Sequence, residues 1–531
     1  MTPTAAAQTH GVWQPRHNPW LIAVVVTMAT FMEVLDTTIT NVALPHIAGS
    51  LAAGYDESTW VLTSYMVANA IILPTSAWLS ALLGRKRFYM GCVFLFTLSS
   101  LACGLAPTLP ALVFFRVLQG LAGGGMQPAG QAFLVDTFPA EKRGMAFAVA
   151  GIAMVSAPVI GPTLGGFITD NLSWRWAFFI NVPVGVLSLV LTAWLVEDAP
   201  FARRIKLGNG IGMDYIGLGL IALGLGSLQV VLDKGERADW FASGYICAFA
   251  ATAVVALMIA VVWEWRQAHP VTDVRMFKDR NFALANIYMY AVGFFLFGST
   301  VLVPLMVQTR MGYTATWAGL VVSPGALMVI ILLPLVGRLV THYQPRNLIL
   351  FGVFAAGIAL LRHGMLDLQA GYWTIAFDRM LMGIGIAFLF VPINTVAYSF
   401  ISPAKNNDAS AILSLSRNLG SSTGIAVVMT LLSRHSQMHQ TDLVAHMTPY
   451  NTAYTDTLNQ LAQRFAEGAA VNTHAMLQAQ AFMYHRILND QAAMLAYLDD
   501  FRFLGVTLLV LLPGVFLLKR VPKKHAVVMM E

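Results

Sequence analysis

Charge is what this chain has least of. Only 11% of its residues are Asp, Glu, Lys or Arg, against about 25% in a soluble globular protein, while 57% are hydrophobic. That balance excludes a water-soluble fold and makes lipid the solvent. Cysteine is scarce too: Cys92, Cys103 and Cys247 each sit inside an apolar run, so neither a disulfide framework nor a thiolate metal site is expected. There is no Walker sequence to hold a nucleotide and no nucleophile triad, so neither an enzyme nor a bound cofactor or metal is expected. The net charge of +6 does not imply nucleic acid, because the basic residues are confined to short loops. The stretch before Pro19 lacks the pattern of a cleavable leader, so the first apolar run is expected to stay as a membrane helix.

What is present is repetition. Apolar runs near 20 residues, the length that crosses about 30 Å of hydrocarbon as a helix, recur fourteen times from about 20–44 to about 501–519, with 144–168, 347–363 and 409–433 among them. Basic residues crowd every second loop: Arg85-Lys86-Arg87, Lys142-Arg143, Arg203-Arg204 with Lys206, Arg275 to Arg280, Arg338 with Arg346, and Lys519-Arg520 with Lys523-Lys524. The loops between them are poorer, as at Arg175, Arg310 and Arg362. The positive-inside rule then places both termini in the cytoplasm. The fold class is an all-α integral membrane protein.

The chain also repeats internally. Phe115-Arg116-x-x-x-Gly120 with Pro128 beyond resembles Asp378-Arg379-x-x-x-Gly383 with Pro392 beyond, roughly 260 residues later. Trp60, Pro74 and Gly84-Arg85 likewise match Trp317, Pro334 and Gly337-Arg338. This predicts an N-terminal six-helix bundle in 1–198, an inserted helix pair in 199–270 and a C-terminal six-helix bundle in 271–531. Two related bundles around a midplane site are a common transporter plan. The one long loop, 434–499, is expected outside, either as a solvated helical hairpin or as a docking surface for an extracytoplasmic partner.

Chemistry concentrates in helix 1. Glu33 and Asp36 are three apart, hence neighbours on one face, and Thr30, Thr37, Thr40 and Asn41 lie on or beside it. An intramembrane charge costs at least about 2.5–3.5 kcal/mol, so such residues usually face a cavity and serve function. Arg116 of helix 4 stays charged and needs a negative partner. A carboxylate gives up its proton less readily when buried alone and more readily beside a cation. A changing distance between Arg116 and Asp36, with Glu33 as a possible second carboxyl, would therefore load and release protons. The alternative for Arg116 is a plain interhelical clamp. Asp378, Arg379, Arg417 and Asn418 are further polar groups at membrane depth, open to either a cavity role or structural pairing. Asp214 reads as a helix N-terminal partner. His435 and His439 are spaced i, i+4 but lack a third metal ligand.

These motifs together carry a resemblance. Leu35-Asp36-x-Thr38-Ile39-x-Asn41-x-Ala43-Leu44-Pro45 resembles the helix-1 signature of the fourteen-helix drug:proton antiporters of the major facilitator superfamily. Arg116-x-x-Gln119-Gly120-x-x-x-Gly124 resembles the helix-4 motif, and Ala157-Pro158-x-x-Gly161-Pro162-x-x-Gly165-Gly166 the helix-5 antiporter motif. Trp174-Arg175-Trp176 through Asn181 to Gly185, and Leu232-Asp233-Lys234-Gly235, are similar to the EmrB branch of that family.

The resemblance implies a bacterial inner-membrane, proton-driven multidrug efflux subunit for hydrophobic or amphipathic compounds. Such a subunit works with a periplasmic adaptor and an outer-membrane channel. It further implies proton coupling at Arg116, a substrate cavity near Thr37, Thr40, Asn41 and Gln119, and a helix 5 that seals the two bundles together. A dedicated exporter of one metabolite or fatty acid is the alternative within transporters. A passive channel is disfavoured for want of a selectivity ring. One departure stands out: the acidic residue of the family's helix 2–3 loop is Ala81 here, which leaves Arg85 and Lys86 as topological anchors.

Overall fold

The structure, a computed structural model, describes residues 15–198, 214–268, 270–466 and 473–520. Arg203, Arg204, Lys206, Lys523 and Lys524, which the topology reading used, lie outside the described residues, as does part of the long loop. The helices of the first half are α1 Pro19–Ser50, α2 Trp60–Leu83, α3 Arg85–Leu105, α4 Leu109–Thr137, α5 Ala140–Asn171 and α6 Asn181–Leu195. Then come α7 Tyr215–Lys234 and α8 Gly244–Arg266, followed by α9 Arg280–Thr309, α10 Ala315–His342, α11 Pro345–His363 and α12 Tyr372–Tyr398. The chain closes with α13 Asn406–Val444, α14 Thr452–Phe465, α15 Thr473–Phe482 and α16 Asn489–Val510.

Local chemistry sets where these helices start. Asn18 precedes Pro19, and its side chain accepts from the Trp20 amide at 2.9 Å; Asp279 accepts from the Phe282 amide at 2.8 Å at the head of α9. Each satisfies one of the orphan donors of a helix N-terminus. Asp214 caps α7 in the expected way, accepting from the Gly217 amide at 2.8 Å, and also takes a hydrogen bond from Trp263 Nε1 at 2.9 Å.

Twelve helical segments of the described residues are long and apolar enough to cross a membrane. The two remaining expected spans lie in α5 and α13, which are long but diluted by glycine, serine and other polar residues. Both are packed against protein: α5 against α1 and α10, α13 against α9, α16 and α2. A helix wrapped by other helices meets little lipid, so it needs less apolar surface.

Two six-helix bundles result, with α7 and α8 packed on each other and α7 laid along α2 and the edge of α13. The bundles meet where α5 packs on α10 and where α13 packs on α2 and α4. At the α5–α10 seam a Cβ on Gly144 would stand 2.8 Å from the Gly337 carbonyl, so only glycine allows the backbones this close. Nearby, Asn406 Nδ2 donates to Asp136 Oδ1 at 2.6 Å and Asn407 Nδ2 to Ser80 Oγ at 3.0 Å. The seam is closed at the end that carries the basic loops.

The long outer loop departs from its expected boundaries. Helix α13 does not stop near 433 but runs 39 residues to Val444, about 58 Å at 1.5 Å per residue. The last membrane helix starts well before 501, because α15 continues through a π-helical turn at Met483–Leu488 into α16. No proline or glycine falls in the extensions themselves, 434–444 and 473–500, and histidine–carboxylate contacts tie them together. His435 Nδ1 lies 3.1 Å from Asp500 Oδ1, and His439 Nε2 lies 2.7 Å from Asp499 Oδ2.

Candidate functional site

Asp36 sits at the centre of a closed polar cage. It and Arg116 are wholly buried, and Arg116 Nη1 donates to Asp36 Oδ2 at 2.6 Å. Gln119, one turn along α4, donates to Asp36 Oδ1 at 3.0 Å and accepts from Arg116 at 2.8 Å. Asn181, at the head of α6, donates to the same Oδ1 at 2.7 Å. Arg116 is fixed from its other side by the Val61 carbonyl at 3.0 Å and by the Tyr65 ring, 4.2 Å from centroid to guanidinium carbon. Glycines let α4 reach α2: a Cβ on Gly120 would be 2.4 Å from the Tyr65 carbonyl.

Glu33 belongs to a different compartment. Residues 33 and 36 are about 60° apart around a helix, and that angle is enough to turn Glu33 out of the cage. It accepts from Asn69 Nδ2 at 3.0 Å and lines a central cavity of about 150 Å³ together with Thr37, Asn69, Gln127, Arg417 and Asn418. The far wall belongs to the other bundle: Asn418 Nδ2 donates to Asn69 Oδ1 at 3.3 Å, and Arg417 bonds to Gln127. The inserted α7 also reaches this cavity, through Gln229.

Several expected cavity residues fall elsewhere. Gln119 is part of the Asp36 cage and does not line the cavity. Asn41 is exposed, because five residues carry it about 140° round α1 from Asp36. Thr40 is wholly buried, and its hydroxyl has no hydrogen-bond partner among the described residues. Asp378 accepts from Arg362 Nε at 2.7 Å, which is structural pairing away from the cavity. Arg379 turns the other way and lines a second, apolar cavity of about 60 Å³ between α5, α9, α10 and α12.

Helix α5 divides its small residues between two neighbours. A Cβ on Gly161 would be 2.0 Å from Thr38 Oγ1, and one on Gly165 would be 3.2 Å from the Ile39 Cα, so both glycines press against α1 of their own bundle. Nothing lies within 4 Å of a Cβ at Gly166. The contact with the opposite bundle is made by Gly144 and by Gly151, which meets Leu333 and Phe390. The expected bundle seal is therefore not at the motif's glycines. Ten residues leave Gly161 about 80° round the helix from Gly151. Pro158 lines the second cavity, and the side chain of Pro162 lies outside the described residues.

Arg85 is more than an anchor. It is 4% exposed and forms a buried ion pair with Asp136, the same carboxylate that receives Asn406 from the other bundle. Asp136 thus supplies the counter-charge of Arg85, on α4 and not at the position of Ala81. Lys86, in the first turn of α3, donates its ammonium to the Ala193 carbonyl of α6 at 2.8 Å.

Sequence reading passed over Asn181, Asn69, Gln127 and Tyr65 as site residues. For the three amides the available signal was an uncharged polar group in an apolar helix, weaker than a carboxylate because it costs less to bury; Tyr65, acting through its ring, gave none.

Buried carboxylates and guanidinia at membrane depth, some within one six-helix bundle and some facing each other across two, suit a transporter fold. The sequence model of the Major Facilitator Superfamily matches residues 26–425, and the chain belongs to that family. It is 38% identical over 444 residues to the multidrug export protein EmrB of Haemophilus influenzae, covering 83% of this chain and 86% of the relative. It is 38% identical over 440 residues to the fatty acid resistance protein FarB of Neisseria gonorrhoeae, covering 82% and 85%. Among solved structures, the human organic anion transporter MFSD10 superposes with a TM-score of 0.57 at 13% identity, over 93% of this chain and 100% of that one. That last likeness speaks for the fold alone. The chain is thus a multi-pass membrane transporter of small molecules, of the EmrB-like kind.

Proposed function

We propose that this protein exports hydrophobic and amphipathic compounds, including drugs, across a bacterial inner membrane in exchange for protons. The observation that carries the reading is the Asp36–Arg116 pair, sealed at membrane depth one helical turn from a central cavity. The identity to EmrB supports the same activity. Asp36 takes up a proton when its cage opens, and Arg116 is then left to its carbonyl, amide and ring contacts. Reclosure of the Arg116–Asp36 contact drives the proton off again.

The two bundles, 1–198 and 271–531, rock about the cavity with the pair in 199–270 riding on α2. Each elementary charge carried inward contributes about 2.3 kcal/mol per 100 mV of membrane potential. No nucleotide, metal or other cofactor is needed for such a cycle. Both termini face the cytoplasm, and the outward extensions of α13 and α16, with the hairpin of α14 and α15, dock a periplasmic adaptor that leads to an outer-membrane channel.

Dye efflux in a host stripped of its own pumps tests the transport. Efflux that a protonophore abolishes is the expected result, and efflux indifferent to the proton gradient would refute it. Unchanged capture of the adaptor after deletion of residues 440–490 would refute the docking.

A further inference from the structure

Four arginines in or at the ends of the spans are buried, and three of them have a carboxylate close at hand. Arg116 holds Asp36 and Arg85 holds Asp136, while Arg417 shares its cavity with Glu33. Arg379 is the exception. It is 5% exposed, and among the described residues it forms no ion pair. Its only hydrogen bonds there are long ones, to Ser299 Oγ and Thr300 Oγ1, both at 3.4 Å, and its Nε has no partner.

The internal repeat explains what is missing. Arg379 of α12 is the counterpart of Arg116 of α4, and the first helix of each bundle supplies the group that faces it. In the N-terminal bundle that group is Asp36 of α1; in the C-terminal bundle it is the hydroxyl pair of α9. One half neutralises its guanidinium internally. The other presents a bare cation.

That cation opens into the second cavity, whose remaining lining is almost entirely apolar, with Met154, Val322, Ala326, Val329, Met382 and Ile386 among it. A guanidinium in such surroundings is costly without a counter-charge, and its planar fork suits a carboxylate held by two hydrogen bonds. At about 60 Å³ the cavity has room for about two water-sized groups of ~30 Å³ each, enough for an acid head, so the tail must pass beyond it. Met154 and Phe297 line both this cavity and the central one. The wall between the two includes an unbranched thioether that can move aside.

We infer that Arg379 is the binding site for the head of an amphipathic organic anion, a carboxylate with an apolar tail, the tail lying along α10 and α12 and past Met154 towards the central cavity. This deepens the export reading above, on which its physiological meaning rests, by giving one cavity a substrate class.

Binding of radiolabelled octanoate, octan-1-ol and octyltrimethylammonium to the purified full-length protein tests it, each read against the R379Q variant. Loss of a charge-assisted pair predicts that R379Q weakens octanoate about ten- to a hundredfold, leaves the alcohol unaffected and does not weaken the cation, and that R379K, which keeps the charge without the fork, retains only part of the affinity. Ala326→Leu, which keeps the charge and fills the tail space, should also weaken octanoate. Octanoate binding that survives R379Q, or a wild type that prefers the cation, overturns the inference; octanoate binding indifferent to Ala326→Leu overturns its location. The two readings fail separately. Charge-selective binding without protonophore-sensitive efflux would remove the export reading and keep the site, whereas efflux without charge-selective binding would do the reverse.

Discussion

Glu33 and Asp36 stand one turn apart on α1, yet they face different compartments: Asp36 is enclosed with Arg116, Gln119 and Asn181, and Glu33 looks into the central cavity beside Arg417. Their neutral variants should therefore fail in different ways. Asp36→Asn keeps the shape of the cage but cannot carry a proton. In proteoliposomes it should abolish the pH-driven component of transport while substrate counterflow persists. Glu33→Gln should leave the pH-driven component in place and change which substrates are carried, cations most. Equal loss of driven transport in both variants would contradict this division.

Removing one partner of the buried pair should be worse than removing both. Arg116→Leu strands a carboxylate in low dielectric and should cost about 3–5 kcal/mol of stability. Adding Asp36→Leu should recover much of that loss. Thermal unfolding in detergent of the two single variants and the double variant measures the coupling, and simple additivity would argue against it.

The closed seam depends on a relay across the bundles, from Arg85 to Asp136 to Asn406. Asn406→Ala removes the cross-bundle hydrogen bond and spares the buried ion pair. It should favour the state in which this end is open by about 1 kcal/mol, the usual worth of one such bond. Spin labels on the ends of α5 and α10 should report a larger population of long distances in that variant.

A loop at the same end carries a pH dependence. Burial alone would raise the Asp273 carboxyl, but hydrogen bonds and charge from Lys405, at 2.6 Å, and Arg275, at 2.9 Å, outweigh it and hold the group below its usual value. A carboxyl depressed in the folded state stabilises the fold above its unfolded pKa of about 3.9. That stability is lost as the pH falls through the lower, folded value. Lys405 is half exposed, so the contribution is about 0–1 kcal/mol. Asp273→Asn should destabilise by that amount at neutral pH and by nothing in strong acid, which acid titration of the two proteins would reveal.

The amino-acid sequence by itself determined the membrane class, the helices at its fourteen apolar runs, twelve of them apolar enough to span among the described residues, the two-bundle repeat and the buried carboxylates of α1. Each of these rests on something local: the length of an apolar run, a 3.6-residue period, or the cost of a carboxylate in oil. It also marked Asp36 and Arg116 as a pair, because two opposite charges sunk in lipid have few other ways to be stable. It did not separate Glu33 from Asp36, move Gln119 into the cage, turn Asn41 to the surface, or reassign the α5 seam to Gly144 and Gly151. Those outcomes depend on a rotation of about 60–140° of one helix against its neighbours, and helix rotation is set by packing. Tertiary structure alone decided that Arg85 pairs with Asp136, and that Arg379, the twin of Arg116 in sequence, faces hydroxyls where its counterpart faces a carboxylate. Residues far apart in the chain meet only when the bundles close, and nothing local records which of them will touch.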